Sequence, residues 1–256
     1  MDAMKQKYPI ILIHAFPLDA TMWTPVTERL RSVGHTVHTP DLPGFGSRFA
    51  WPVDTCSIEG LADDIHALIL EQPAGTAIVG GCSIGGYILL ALLRRHPAAV
   101  RAAIFLDTHA AADPPEMIAN RKNVIAKVKL EGIAPLAQSM AGRLLSASAP
   151  EALRSQVAVM ITRQSANGVI GLQQAMAKRA DQSDLLPKLT IPMLFVVGAE
   201  DQITPPAVMR AMVEQCTLRP APELVRIPAA GHLAALEQPE LVANVIDEFV
   251  QHHKCV

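Results

Sequence analysis

The sequence predicts an α/β protein, a mainly parallel sheet of about six strands with helices on both faces and an inserted helical segment. Three observations carry this reading. Short apolar runs recur along the chain, amphipathic segments separate them, and one long stretch breaks the alternation.

The runs are PIILIH (9–14), HTVHTP (35–40), TAIVGG (76–81), AAIFLD (102–107), IPMLFVVG (191–198) and ELVRIP (223–228). Most lack the polar alternation of a half-exposed strand, so they read as strands buried on both faces, the state that parallel sheets require. Helical patterns cover Ser57 to Glu71, Ile84 to His96 and Pro206 to Cys216, and right-handed βαβ crossovers follow from their placement. From Asp113 to Pro187 no strand is evident. Four helices are expected there, near 115–131, 134–146, 150–164 and 166–180, with breaks at Gly132, SASAP and Asn167-Gly168. The chain thus divides into a core domain, 1–112 and 188–256, and a helical cap inserted at 113–187.

Composition narrows the function. Half of the 256 residues are hydrophobic, enough for a substantial core. With 22 basic and 24 acidic side chains the net charge is -2, and no block of like charge marks a nucleic-acid or membrane partner. Cys56, Cys82, Cys216 and Cys255 lack disulfide or zinc spacing, and the nine histidines contain no HExxH, so no metal or cofactor is expected. Lys5 and Lys7 ahead of the apolar run Pro9 to Leu18 loosely imitate a signal peptide, but His14 and two prolines interrupt the run, which the sheet needs as a strand. No apolar stretch reaches the ~18 residues of a membrane span. A cytoplasmic protein is expected, and its oligomeric state is not legible.

The chemistry lies at strand ends. Gly81-Cys82-Ser83-Ile84-Gly85 fits G-x-S-x-G between a strand and a helix. A nucleophile on so sharp a turn has neighbours where any side chain would clash, which accounts for the glycines. The same pentapeptide is also a glycine-rich turn with Ser83 as a helix N-cap. Further residues weigh against that plainer reading. A serine hydroxyl needs a base and a group to orient the base, and Asp201 follows VVGAE while His232 follows IPAAG, giving the order serine, acid, histidine. Glu200 and Asp107 compete for the acid role. Cys82, one position from the tip, reads as a core residue.

Four stretches, LIHAFPLD (12–19), DLPGFGS (41–47), GCSIGGY (81–87) and GHLAALEQPE (231–240), resemble the α/β-hydrolase superfamily across nearly the whole chain. The pattern is most similar to the branch of 3-oxoadipate enol-lactonases and small carboxylesterases, which also carries an Asp-Thr pair matched by Asp107-Thr108. The resemblance implies catalysis by Ser83, Asp201 and His232, with an oxyanion hole made by the backbone N–H groups of Phe16 and Ile84. Where that family has glycine after His14, this chain has Ala15, which would strain the loop if the position needs positive φ. His14 is expected to be a structural hydrogen-bonding residue under that loop, and Asp41 a structural one in the DLPGFGS turn.

The insertion would roof the serine. His14, Ala15, His109 and Met140 are pocket candidates; His109, Arg121 and Arg143 could meet a carboxylated substrate such as an oxoadipate-type lactone, although the arginines read more simply as solvated surface residues. Of Met117, Ile133, Leu136, Met140, Leu144, Met160 and Met176, helical spacing assigns most to helix packing and a minority to the pocket. Aromatic residues make up only 4% of the chain, which disfavours an aryl pocket. The expected activity is metal-free hydrolysis of a small-molecule carboxylic ester or lactone through an acyl-enzyme on Ser83. Perhydrolase or haloperoxidase chemistry and carbon–carbon bond hydrolysis use the same triad and stay open, as does a receptor of this fold with little turnover, toward which only Ala15 leans.

Overall fold

The computed structural model describes residues 8–50 and 56–253. Lys5, Lys7 and Cys255 lie outside the described residues. Six strands, β1 (Ile10–Ile13), β2 (Val37–His38), β3 (Ala77–Cys82), β4 (Val100–Leu106), β5 (Met193–Gly198) and β6 (Glu223–Ile227), form one parallel sheet ordered β2-β1-β3-β4-β5-β6. Each falls within or against an apolar run of the sequence. β1, β3 and β5 are buried at every residue, as strands covered on both faces must be. β6, at the edge, exposes Glu223 and Arg226, and such charges discourage pairing with another chain.

The chain leaves β1 for β2 and then returns past β1 to β3. This reversal puts helix α1 (Thr24–Ser32) on one face, where α10 (Pro239–His252) packs against it, and helices α2 (Ile58–Leu70) and α3 (Ile84–Arg95) together on the other. A crevice opens where successive crossovers diverge, at the carboxyl ends of β1 and β3. The loops after those strands carry Phe16 and Ser83. Helix α1 escapes sequence reading because it is short and buries only Val26, Thr27 and Leu30.

Four helices lie between β4 and β5: α4 (Pro115–Glu131), α5 (Ala134–Ala141), α6 (Glu151–Thr162) and α7 (Ala166–Lys178). α4 packs on α7, and α5 on α6. α5 stops short of the expected boundary because the chain turns at Gly142. Beyond β5 come α8 (Pro206–Gln215) and, after β6, the single turn α9 (Ala234–Glu237). Among the described residues no helix is long and apolar enough to cross a membrane.

Candidate active site

Ser83 occupies the residue between β3 and α3 with φ 54° and ψ -113°, a conformation that side-chain-bearing residues rarely adopt. Its neighbours make the turn possible. A Cβ at Gly81 would lie 2.2 Å from the Gly85 carbonyl, and one at Gly85 would lie 2.5 Å from the Ile13 carbonyl oxygen. The turn is pinned by the Ser83 N–H donating to Leu106 O at 3.0 Å and by the Thr108 hydroxyl donating to Ser83 O at 2.7 Å. Although Ser83 stands at the N-cap position of α3, its side chain makes no capping hydrogen bond. The hydroxyl instead lines a cavity of about 430 Å³, within the range of small-molecule sites.

His232 lines the same cavity. Its Nδ1 lies 2.9 Å from Asp201 Oδ2 and 3.2 Å from Thr204 Oγ1. Thr204 also donates its hydroxyl to Asp201 Oδ2 at 2.6 Å, while Asp201 Oδ1 accepts the N–H groups of Ile203 and Thr204. Burial pushes the Asp201 carboxyl up, yet the hydrogen bonds from His232 and Thr204 and the attraction of His232 outweigh it and hold the group at about 2. Among the described residues Nε2 of His232 has no hydrogen-bond partner, which leaves it available to a hydroxyl in the cavity.

The competing acids sit elsewhere. Glu200 is exposed. Asp107, at φ 43°, accepts the Gly198 N–H at 2.7 Å, and its other carboxylate oxygen is buried without a partner among the described residues. Burial, then the neighbouring Asp201 charge, pushes its carboxyl well above the usual range. Cys82 is buried, and burial likewise raises its thiol well above the ordinary value, the opposite of what a nucleophilic thiolate needs.

In the loop after β1 the Phe16 N–H has no hydrogen-bond partner among the described residues. Ile84 opens α3, so its N–H is one of the helix's unpaired donors. Ala15 carries no positive φ; among the described residues the left-handed non-glycines are Ser83, Asp107 and Ala229. Alanine therefore brings no backbone strain to this loop. His14 and Ala15 are fully buried and do not reach the cavity wall, contrary to the expectation that they face substrate. The reason is local. His14 donates from Nδ1 to Ala15 O and accepts the Leu42 N–H at Nε2, tying two loops together, while the Ala15 N–H points at Met22 Sδ. Asp41 accepts the N–H groups of Ala20 and Ser47, a structural role.

His109 and Met140 do line the cavity. So do Met117, Leu136, Leu144 and Met176, whereas Ile133 and Met160 are buried away from it. Sequence periodicity undercounts the lining because it registers one apolar stripe per helix without saying whether a neighbour or a cavity covers it. Arg121 and Arg143 also reach the wall, and the aromatic lining comes from Phe16 and Tyr87 of the core. Tyr87, Thr204 and Gln173 were not singled out from the sequence. Tyr87 lies one helical turn beyond Ser83, and that i+4 spacing was a usable signal.

A family model described as alpha/beta hydrolase fold matches residues 8–239. The chain belongs to that family. It is 31% identical to the pimeloyl-[acyl-carrier protein] methyl ester esterase of Neisseria meningitidis serogroup C, over 98% of this chain and 95% of the relative. A thermophilic esterase from Thermogutta terrifontis, solved with malate bound, superposes with a TM-score of 0.90 at 36% identity, covering 96% of this chain and 90% of that one. The enol-lactonase from Burkholderia xenovorans LB400 superposes with a TM-score of 0.85 at 23% identity over 96% and 92%, a likeness of fold. The protein is an ester-cleaving α/β hydrolase.

Proposed function

We infer that this hydrolase cleaves a small carboxylic ester or lactone through an acyl-enzyme on Ser83. The observation that carries the reading is the strained turn that presents Ser83 to the cavity that His232 also lines, with Asp201 2.9 Å behind the imidazole. Its likeness to two esterases supports the ester linkage, and the relative's name makes a methyl ester of an aliphatic acyl group a good trial substrate. The core domain supplies the reacting groups and the 113–187 cap the wall that selects acyl and alcohol groups.

His232 Nε2 takes the Ser83 proton as Oγ attacks the carbonyl carbon. Asp201 and Thr204 hold Nδ1–H in place and stabilise the imidazolium that forms. The N–H groups of Phe16 and Ile84 receive the oxyanion. Collapse breaks the bond to the leaving oxygen, which takes the proton from His232 and departs as the alcohol. Water, deprotonated by His232, then attacks the acyl-enzyme and releases the acid and free Ser83.

The test is hydrolysis of p-nitrophenyl esters from acetate to octanoate by the wild type and by Ser83→Ala. The variant should lose on the order of 10⁴-fold or more in kcat while keeping its fold. Equal rates in the two proteins would remove Ser83 from the mechanism.

A further inference from the structure

Where the insertion meets the core, Asp113, Arg121, Gln173, Tyr87 and His109 all border the cavity. Two guanidiniums share the single Asp113 carboxylate. Arg121 meets it through Nε and through Nη2 at 3.3 Å, and Arg179 through Nη1 at 2.7 Å. All three side chains are nearly enclosed, Asp113 at 2% exposure, Arg179 at 3% and Arg121 at 12%.

His109 does not alter this balance. Its Nε2 lies 3.3 Å from an Arg179 Nη2, a group that can only donate, so that nitrogen carries no proton and accepts the Tyr87 hydroxyl at 2.9 Å. Burial and the Arg179 charge also push the imidazole down to about 4. The three side chains therefore carry a net charge of +1 beside the cavity, eased at Arg179 by the Tyr87 ring 4.1 Å below its guanidinium, and where such a charge is desolvated it costs stability unless an anion answers it. Farther out the cavity wall adds Lys127 and Arg143 against Glu131 alone.

Unused donors accompany the charge. Gln173 Oε1 accepts from Arg121 Nη1 at 3.0 Å, which identifies that atom as the oxygen, because a guanidinium offers no lone pair. The Gln173 amide nitrogen is thus its other end. It has no partner among the described residues, although the residue is only 4% exposed and borders the cavity. Arg121 spends its Nη1 hydrogens on Gln173 and Met176 Sδ, and Nη2 keeps one N–H free.

We propose that Arg121 and Gln173 form a carboxylate-binding subsite, and that the substrates are esters carrying a second, anionic carboxylate, such as monoesters of aliphatic dicarboxylic acids. This rests on the esterase reading and extends it to substrate class. Arg121 supplies charge and one N–H, and Gln173 supplies two more. Arg179 and Asp113 hold the guanidinium of Arg121 in position.

The experiment compares monomethyl esters of glutaric to suberic acid with the matching dimethyl esters, which differ in charge at nearly constant shape. The wild type should prefer the best monoester by about 10-fold or more in kcat/KM, mostly through KM. Arg121→Gln, which leaves Asp113 its partner Arg179, should bring that ratio near one, with the loss falling on the monoesters and read mainly in KM. Glutarate or suberate should bind Ser83→Ala in calorimetry, and the amide-capped acids should not. Hydrolysis of both esters without preference, or an equal loss on both in Arg121→Gln, would overturn the subsite while leaving the esterase. Carboxylate binding to Ser83→Ala with no turnover of any ester by the wild type would support the subsite and overturn the esterase reading.

Discussion

Helices α3 and α4 both border the cavity and are built on opposite terms. α3 buries ten of its 12 residues and enters directly from the Ser83 turn. α4 is longer, at 17 residues, and buries only Val128. The rest of the insertion is set more deeply: α7 buries eight of its 13 residues and Gly168 packs against Gly44 of the core, while Arg163 pairs with Asp19 at 2.7 Å and the Ser146 N–H donates to Glu237 at 2.9 Å. Close packing resists displacement by tenths of an ångström, whereas a helix with a single buried residue is free to vary. Ser83 therefore stands against a closely packed helix, and α4 forms a lightly packed part of the cavity wall.

The sharpest way to break this contrast is inside the packed side. Gly85→Ala forces a Cβ to within 2.5 Å of the Ile13 carbonyl oxygen, a backbone atom that cannot swing aside. A loss of roughly 3 kcal/mol or more is expected in denaturant unfolding, with esterase activity falling as the Ile84 N–H shifts. A stable, fully active variant would show that the elbow is less tightly packed than its distances require.

The seam between the two sides should respond to acid. His109 is held at about 4, below its ordinary 6.5, so the unfolded chain binds the extra proton across that window. Stability thus falls as pH drops from about 6.5 to 4, by up to about 3 kcal/mol from this residue, and His14, also lowered by burial, adds to the slope. Asp19 and Asp201 have linkage of the same sign in a lower pH window. Held at about 2, they contribute stability that is present above about pH 4 and is lost as pH falls toward 2. Melting temperatures from pH 4 to 7 should show a shallower decline in His109→Gln than in the wild type; parallel curves would place the sensitivity elsewhere.

The smallest effect belongs to the exposed face of the insertion. Leu130 is 83% exposed on α4 and does not border the cavity. Leu130→Lys should change stability by no more than about 0.5 kcal/mol and leave kcat/KM unaltered. A larger change would mean that this face is covered in solution.

Much of the core was legible because buried parallel strands leave unbroken apolar runs, and because a nucleophile elbow demands glycines at fixed offsets, as Gly81 and Gly85 show. The order of Ser83, Asp201 and His232 at strand ends was legible for the same reason, since parallel strands deliver their carboxyl ends to one edge. The lining was less so. Met117 and Met160 look alike in sequence, yet one borders the cavity and the other is packed away from it.

The sequence by itself determined the fold class and the glycine-flanked turn at Ser83, because these depend on local backbone demands and on short-range period. Tertiary structure alone decided that His14 and Ala15 stay out of the cavity, that Asp201 and not Asp107 meets His232, and that Arg121, Asp113 and Arg179 share one charge too few. Each of these turns on distances between segments far apart in the chain, and on burial, which only the assembled sheet and insertion define.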